Sequence, residues 1–433
     1  MHWPPVFRTL STPLSSPLNL TLFLFLFLKY TYSSTRQEMA QVQGTNDERF
    51  AELRKIFQEH LDSGDDLGAS ITVNLDGKNV VDLWGGYTSS ERTQPWQEDT
   101  IVNVWSSSKT IISFAILMLV DRGLLDVHEN VAKYWPEFAA NGKENIKVRH
   151  LLSHTSGLSG WEQPLTREDL YDREKATRLL AAQAPWWEPG TASGYHSLTM
   201  GFLLGELVVR VAGKTMRQFI ADEIAGPLKV DFQLGAAEKD WPRVATLETG
   251  GQGDMVMPPG APELTTKSLL NPTPNGNNAG TEGWRRAEIG AANGHSNSRA
   301  LAKIMSAIAL GGEVDGVRLL SPETIDLIFE EQSHGVDMVI HRNVQFGIGY
   351  GICTAGDSAV NEILPRGRVC YWSGWGGSMV AADTERRLTF SYTMNKMWIN
   401  AGTLGNPNTL AYGRAVYAAL GVNVGTQDGP ASG

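Results

Sequence analysis

Cysteine is scarce: Cys353 and Cys370 are the only two in 433 residues. Two thiols are no disulfide framework, and they read as a buried, reduced pair on neighbouring strands, which leaves the redox compartment open. The chain also lacks an HExxH, a CxxC pairing and a glycine-rich phosphate loop followed by lysine, so no metal, nucleotide or other cofactor is implied. The absence of a GxSxG elbow argues against a conventional Ser-His-Asp hydrolase. Positive charge is in deficit, with 37 Lys and Arg against 47 Asp and Glu and no basic run. That balance disfavours nucleic acid and anionic membranes as partners and points to a small molecule. The apolar run Leu18 to Leu28, broken only by Asn19 and Thr21, is too short to span a bilayer, so no stable membrane span is expected.

The same run has the length of a signal-peptide core, yet Arg8 is its only preceding cation and no small-residue cleavage site follows at once. The one glycosylation sequon, Asn19-Leu20-Thr21, lies inside it. Residues 1–38 therefore read as an extension outside the fold. A cytoplasmic location is favoured, with secretion the alternative if the run is a signal peptide.

What is present points to chemistry. Ser106 stands three residues before Lys109, followed by the apolar run Thr110 to Val120, which reads as a buried helix. An SxxK pair at a helix start puts a hydroxyl and an amine on one face, one turn apart. The positive helix end there favours charge developing on an attacked carbonyl. Downstream, Tyr195 in Ser193-Gly194-Tyr195-His196-Ser197 precedes the apolar run Leu198 to Val211. Tyr371-Trp372-Ser373-Gly374-Trp375-Gly376-Gly377-Ser378 reads as a strand turning through glycines.

This order resembles the serine β-lactamase and penicillin-binding-protein superfamily, whose members carry SxxK, then YxN or SxN, then KTG on a sheet strand. The likeness is closer to its family VIII carboxylesterase and acyltransferase branch. There the second motif often reads Tyr-His-Ala or Tyr-Ser-Leu and the third carries Trp in place of lysine. Segments His150 to Leu158, Ala291 to Ser296 and Leu320 to Thr324 share the family's look, and the resemblance runs from about Phe50 to about Leu420. It implies Ser106 as nucleophile and Lys109 and Tyr195 as its proton-handling partners. It also implies an oxyanion hole from the amides of Ser106 and Trp375, with Trp372, Ser373 and Gly374 running beside the substrate. An uncharged indole at Trp372 removes the charge that anchors a β-lactam carboxylate and costs a neutral ester nothing.

Free lysine and tyrosine titrate near 10, so using either as a base near neutrality costs about 4 kcal/mol. A cation about 4 Å from a phenolate contributes on the order of 4 kcal/mol at an effective dielectric near 20. Lys109 and Tyr195 are accordingly read as a coupled pair sharing a proton, with neither named as the microscopic base. His154 and His196 read as structural or pocket-lining, His196 beside the pocket.

A chain this long exceeds the size at which one core usually stops growing, so two lobes are expected in a catalytic region 39–433. Periodicity predicts a helix over Asp47 to Leu61, a hairpin of Ala69 to Leu75 and Val80 to Trp84 turning through residues 76–79, strands at Gly367–Tyr371, Met379–Asp383 and Arg387–Met394, and a closing helix Leu410 to Leu420. These form an α/β lobe, an antiparallel sheet flanked by terminal helices, from about 47–126 and 331–422. Residues about 127–330 form a mostly helical lobe containing Arg149–Ser153, Arg167–Ala182, Leu198–Val211, Met216–Ile224, Ser298–Leu310 and Pro322–Glu331. Gly250 to Gly294, rich in Gly, Pro and Asn, reads as a long loop serving as lid or site wall.

The expected activity is hydrolysis of small-molecule carboxylic esters through an acyl-serine intermediate. The alternative is an acyltransferase passing the acyl group to an alcohol or amine in natural-product biosynthesis; a β-lactamase or a catalytically silent binding protein ranks behind both. The oligomeric state is not legible.

Overall fold

The computed structural model describes residues 40–354, 358–399 and 406–425; the N-terminal apolar run and its sequon lie outside the described residues. Nine strands build one antiparallel sheet: β1 Gln43–Asn46, β2 Gly68–Leu75, β3 Lys78–Gly86, β4 Ser333–Val336, β5 Asn343–Phe346, β6 Gly351–Cys353, β7 Gly367–Ser373, β8 Met379–Asp383 and β9 Leu388–Met394. Their order across the sheet is β1-β3-β2-β9-β8-β7-β6-β5-β4. The C-terminal strand β9 pairs with the N-terminal β2, Leu388 opposite Leu75 and Met394 opposite Ala69. Both ends of the chain thus close one sheet, as the strand patterns predict.

The β2–β3 turn is tighter than expected. Asp76 and Gly77 both take positive φ, 50° and 81°, a two-residue turn whose twist matches the flanking strands, so β3 begins at Lys78. Helix α1, Ala51–Ser63, buries Leu53, Phe57 and Leu61 at four-residue spacing and ends at Gly64 in the left-handed conformation. It packs with the C-terminal helix Pro407–Ala418 on the face that carries Tyr392, where the Phe57 and Tyr392 rings both contact Tyr412.

The opposite face of the sheet is lined by small hydroxyls, Ser70, Thr72, Ser391 and Thr393, and receives the helix Ser298–Ala309. Ser298 Oγ hydrogen bonds Thr72 Oγ1 at 2.8 Å, and the Ser298 amide donates to Ser70 Oγ. Grouped by sequence with the helical segments, this helix packs on the sheet.

Gly250 to Gly294 is not structureless. It holds helices Glu263–Leu269 and Glu282–Arg286 and a 3-10 helix Gly276–Gly280. Each is too short for an apolar period to show, and two are started by side chains: Asn275 accepts from the Asn277 amide and Thr281 from the Trp284 amide. Cys353 and Cys370 are free and buried on adjacent strands β6 and β7. Among the described residues no helix is long and apolar enough to cross a membrane, and no cluster of His, Cys, Asp or Glu could hold a metal.

Candidate active site

Helix α2, Ser108–Asp121, is apolar on all sides and buried from Ser108 to Leu119, which fixes it in the middle of the molecule. It starts two residues earlier than its apolar run, from a 3-10 turn Trp105–Ser107. Trp105, held at φ 46°, sets the entry to that turn. The turn's first internal bond runs from the Ser107 amide to Val104 O, so the Ser106 amide precedes the helical ladder.

Ser106 and Lys109 meet as the spacing predicts: Lys109 Nζ lies 3.0 Å from Ser106 Oγ. The same amine donates to Ser197 O at 2.7 Å and Ala291 O at 3.0 Å. Those two carbonyls come from the loop before the helix Thr199–Ala212 and from the end of the Gly250–Gly294 segment, and no side-chain signature announces them. Lys109 is fully buried, and burial holds its amine well below the ordinary lysine range. A neutral amine keeps two N–H donors and one lone pair. With two carbonyls taking the donors, the third direction, toward Ser106 Oγ, is left for the lone pair.

Tyr195 joins them. Its ring centroid is 4.8 Å from Lys109 Nζ, and its hydroxyl is hydrogen bonded to Ser106 and accepts from the Trp372 indole N–H at 3.0 Å. Burial pushes the phenol up and keeps it protonated; its hydrogen bonds with Ser106 and Trp372 oppose that, while the charge of Asp337 adds to it. Asp337, absent from the sequence reading, is fully buried and accepts from the amides of Tyr195, Val339 and Ile340 at 3.1, 2.8 and 3.0 Å. It ties the tyrosine's backbone to the loop after β4.

Trp372 does not run open beside a substrate. Its indole is buried against Tyr195, His154 and Phe346 and its polar edge is spent on Tyr195, because it stands on β7 facing the Tyr195 loop. Ser373 ends β7, also buried. Gly374 passes so close to the turn that carries Ser106 that a Cβ there would lie 2.2 Å from Val104 O. Ser378 Oγ donates to Val104 O at 2.8 Å and pairs with Ser107 Oγ at 3.0 Å, bolting the loop after β7 to the turn that carries Ser106. Among the described residues nothing accepts from the Trp375 amide, and the Trp375 ring packs on Trp105 at 5.0 Å, with Trp284 on the same indole at 5.3 Å.

His196 does not present a nitrogen to substrate. It is wholly buried, Nδ1–H donates to Gly194 O and Nε2 accepts from Ser156, both at 2.7 Å. Burial pushes it down to about 4, so it is neutral at physiological pH. His154, also held low by burial, accepts from the His196 amide. Both are scaffold for Tyr195.

The beta-lactamase family matches residues 53–408. The chain is similar to the esterase/beta-lactamase LipL of Mycobacterium tuberculosis, 33% identical over 82% of this chain and 83% of that protein. It resembles the solved structure of a family VIII carboxylesterase, with TM-score 0.80 and 34% identity over 87% of this chain and 99% of that one. A penicillin-binding-protein homologue from Caulobacter crescentus matches with the same TM-score, identity and coverage.

Proposed function

This chain belongs to the beta-lactamase family, and from that premise we propose that it cleaves neutral carboxylic esters of small molecules through an acyl-Ser106 intermediate. The observation that carries the reading is the 3.0 Å contact between Ser106 Oγ and a buried lysine whose other two bonds end on carbonyls. Lys109 takes the Ser106 proton as Oγ attacks the ester carbon, and the amides of Ser106 and Trp375 receive the oxyanion. Tyr195 gives its proton to the departing alkoxide, its own negative charge held by the Trp372 N–H and the new Lys109 ammonium. Water then attacks the acyl-enzyme, and the same groups return the protons.

Neutral esters are the proposed substrates because Trp372, its N–H spent on Tyr195, brings no charge where the β-lactam-binding relatives have lysine. A lost charged contact to a carboxylate weakens binding by about 1.5 to 3 kcal/mol, roughly ten- to a hundredfold. Measured on one preparation, kcat/KM for a short acyl ester should exceed that for penicillins and cephalosporins by at least about tenfold. Equal rates would make β-lactamase the better description. The same assay run with added alcohols separates hydrolysis from acyl transfer: free acid as the main product supports water as the acyl acceptor, and a new ester supports the transferase alternative.

A further inference from the structure

Away from Ser106, a cavity of about 650 Å³ opens between the segment Arg217–Ala225, the strand Phe232–Leu234, the 3-10 helix Glu238–Arg243 and the helix Glu282–Arg286. Its acidic lining is already matched. Arg243 bridges Asp231 and Asp240, and Arg286 holds Glu238 as well as Glu282 outside the cavity. The basic lining is not matched. The Arg285 side chain has no ion pair and no hydrogen bond among the described residues; its guanidinium rests on the Trp241 ring at 5.6 Å, and its buried Nε has no partner. Arg217 spends Nη2 on the backbone oxygens of Arg286 and Ala287, and its Nε is likewise buried without a partner. Glu288, the one acid whose charge acts on Arg217, makes no ion pair with it and is engaged by the amides of Met216 and Arg217. Lys239 adds an exposed cation at the rim.

A partly buried guanidinium without an acceptor is costly, and its planar fork suits a carboxylate or phosphate. Burial alone shifts Arg285, downward, so no charge of the protein compensates it. Phe232, Leu234 and Val230 give the cavity an apolar wall beside these cations. On a chain of net charge −10, arginines without an ion pair in a concave site stand out against the general field. We propose that this cavity binds a small organic oxyanion, its carboxylate or phosphate on Arg285 and Arg217 and its apolar body against Phe232.

The test is calorimetric titration of the full chain with benzoate and with inorganic phosphate, at ionic strength held constant with sodium chloride. It is run on free enzyme and on enzyme whose nucleophile has been blocked by a phosphonate. Saturable one-site binding is expected, retained after blocking, weakened about tenfold or more by Arg285→Gln and partly restored by Arg285→Lys. Tighter benzoate identifies an organic carboxylate as the ligand class; tighter phosphate identifies a phosphate ester. Should Arg285→Gln lose its circular dichroism, Lys239→Gln takes its place, with a severalfold weakening expected. Absence of saturable binding of either anion, loss of binding on blocking, or an affinity unchanged by these substitutions overturns the proposal. Ester turnover is not the readout, so the outcome is independent of the function proposed for Ser106.

Discussion

Lys109 owes its proposed role to where it is buried rather than to what it is. In water it would hold its proton near pH 10; inside, hydrogen bonded to carbonyl and hydroxyl oxygens and to no carboxylate, the charged form is penalised by burial. The rising limb of kcat/KM against pH should therefore fall below the ordinary lysine range. The sign follows from the depressed value: activity is lost as pH falls and the amine takes up a proton. A limb near 10 would contradict the assignment. Because the Tyr195 phenolate left by protonating the alkoxide is held by the ammonium that Lys109 forms on taking the Ser106 proton, the two act as a unit, and Lys109→Ala and Tyr195→Phe should each cost nearly as much activity as the double variant. Losses that multiply cleanly would mean independent roles. At this scale the sequence was informative for side chains that meet within a turn, as Ser106 and Lys109 do. It was silent on Ser197 O and Ala291 O, which carry no residue type, and on the direction of the Trp372 indole, which depends on how β7 faces the Tyr195 loop.

Two elements must be held in register for an oxyanion hole to exist: the turn Trp105–Ser107 and the loop that follows β7. Their contact is made by backbone, hydroxyls and one ring pair, with Gly374 against Val104, Ser378 bridging to Val104 and Ser107, and Trp375 on Trp105. Gly374→Ala would drive a methyl into Val104 O and displace the Trp375 amide. Loss of one oxyanion donor costs roughly a hundred- to a thousandfold in kcat. Turnover of a short ester should fall by at least that lower factor while the circular dichroism spectrum is kept. Near-wild-type turnover would show that the loop does not supply the second donor. Strands and long helices were legible because their apolar residues repeat over several turns or pairs, as in β2, β3 and α1. The short helices between Gly250 and Gly294 were not, since each runs for one or two turns and is set by its cap and by contacts such as Trp284 on Trp105.

On the scale of the whole molecule, the sheet is closed by strands from both ends of the chain, and the first of them starts at Gln43. We propose that residues 39–433 form the catalytic unit. Deleting residues 1–38 should leave ester turnover and the thermal midpoint unchanged, and an inactive or insoluble truncation would assign that segment to the fold. The proposed function turns on one covalent event at Ser106, and the mass of the intact protein reads it directly. Mixed with a short activated ester and quenched in acid, the wild-type chain should gain the mass of one acyl group, mapped by peptide analysis to Ser106. Ser106→Ala should gain none and lose turnover by a factor on the order of 10⁶. An acyl group found on Ser107, Ser108 or any other residue, or a Ser106→Ala variant that still turns over the ester, would contradict the account.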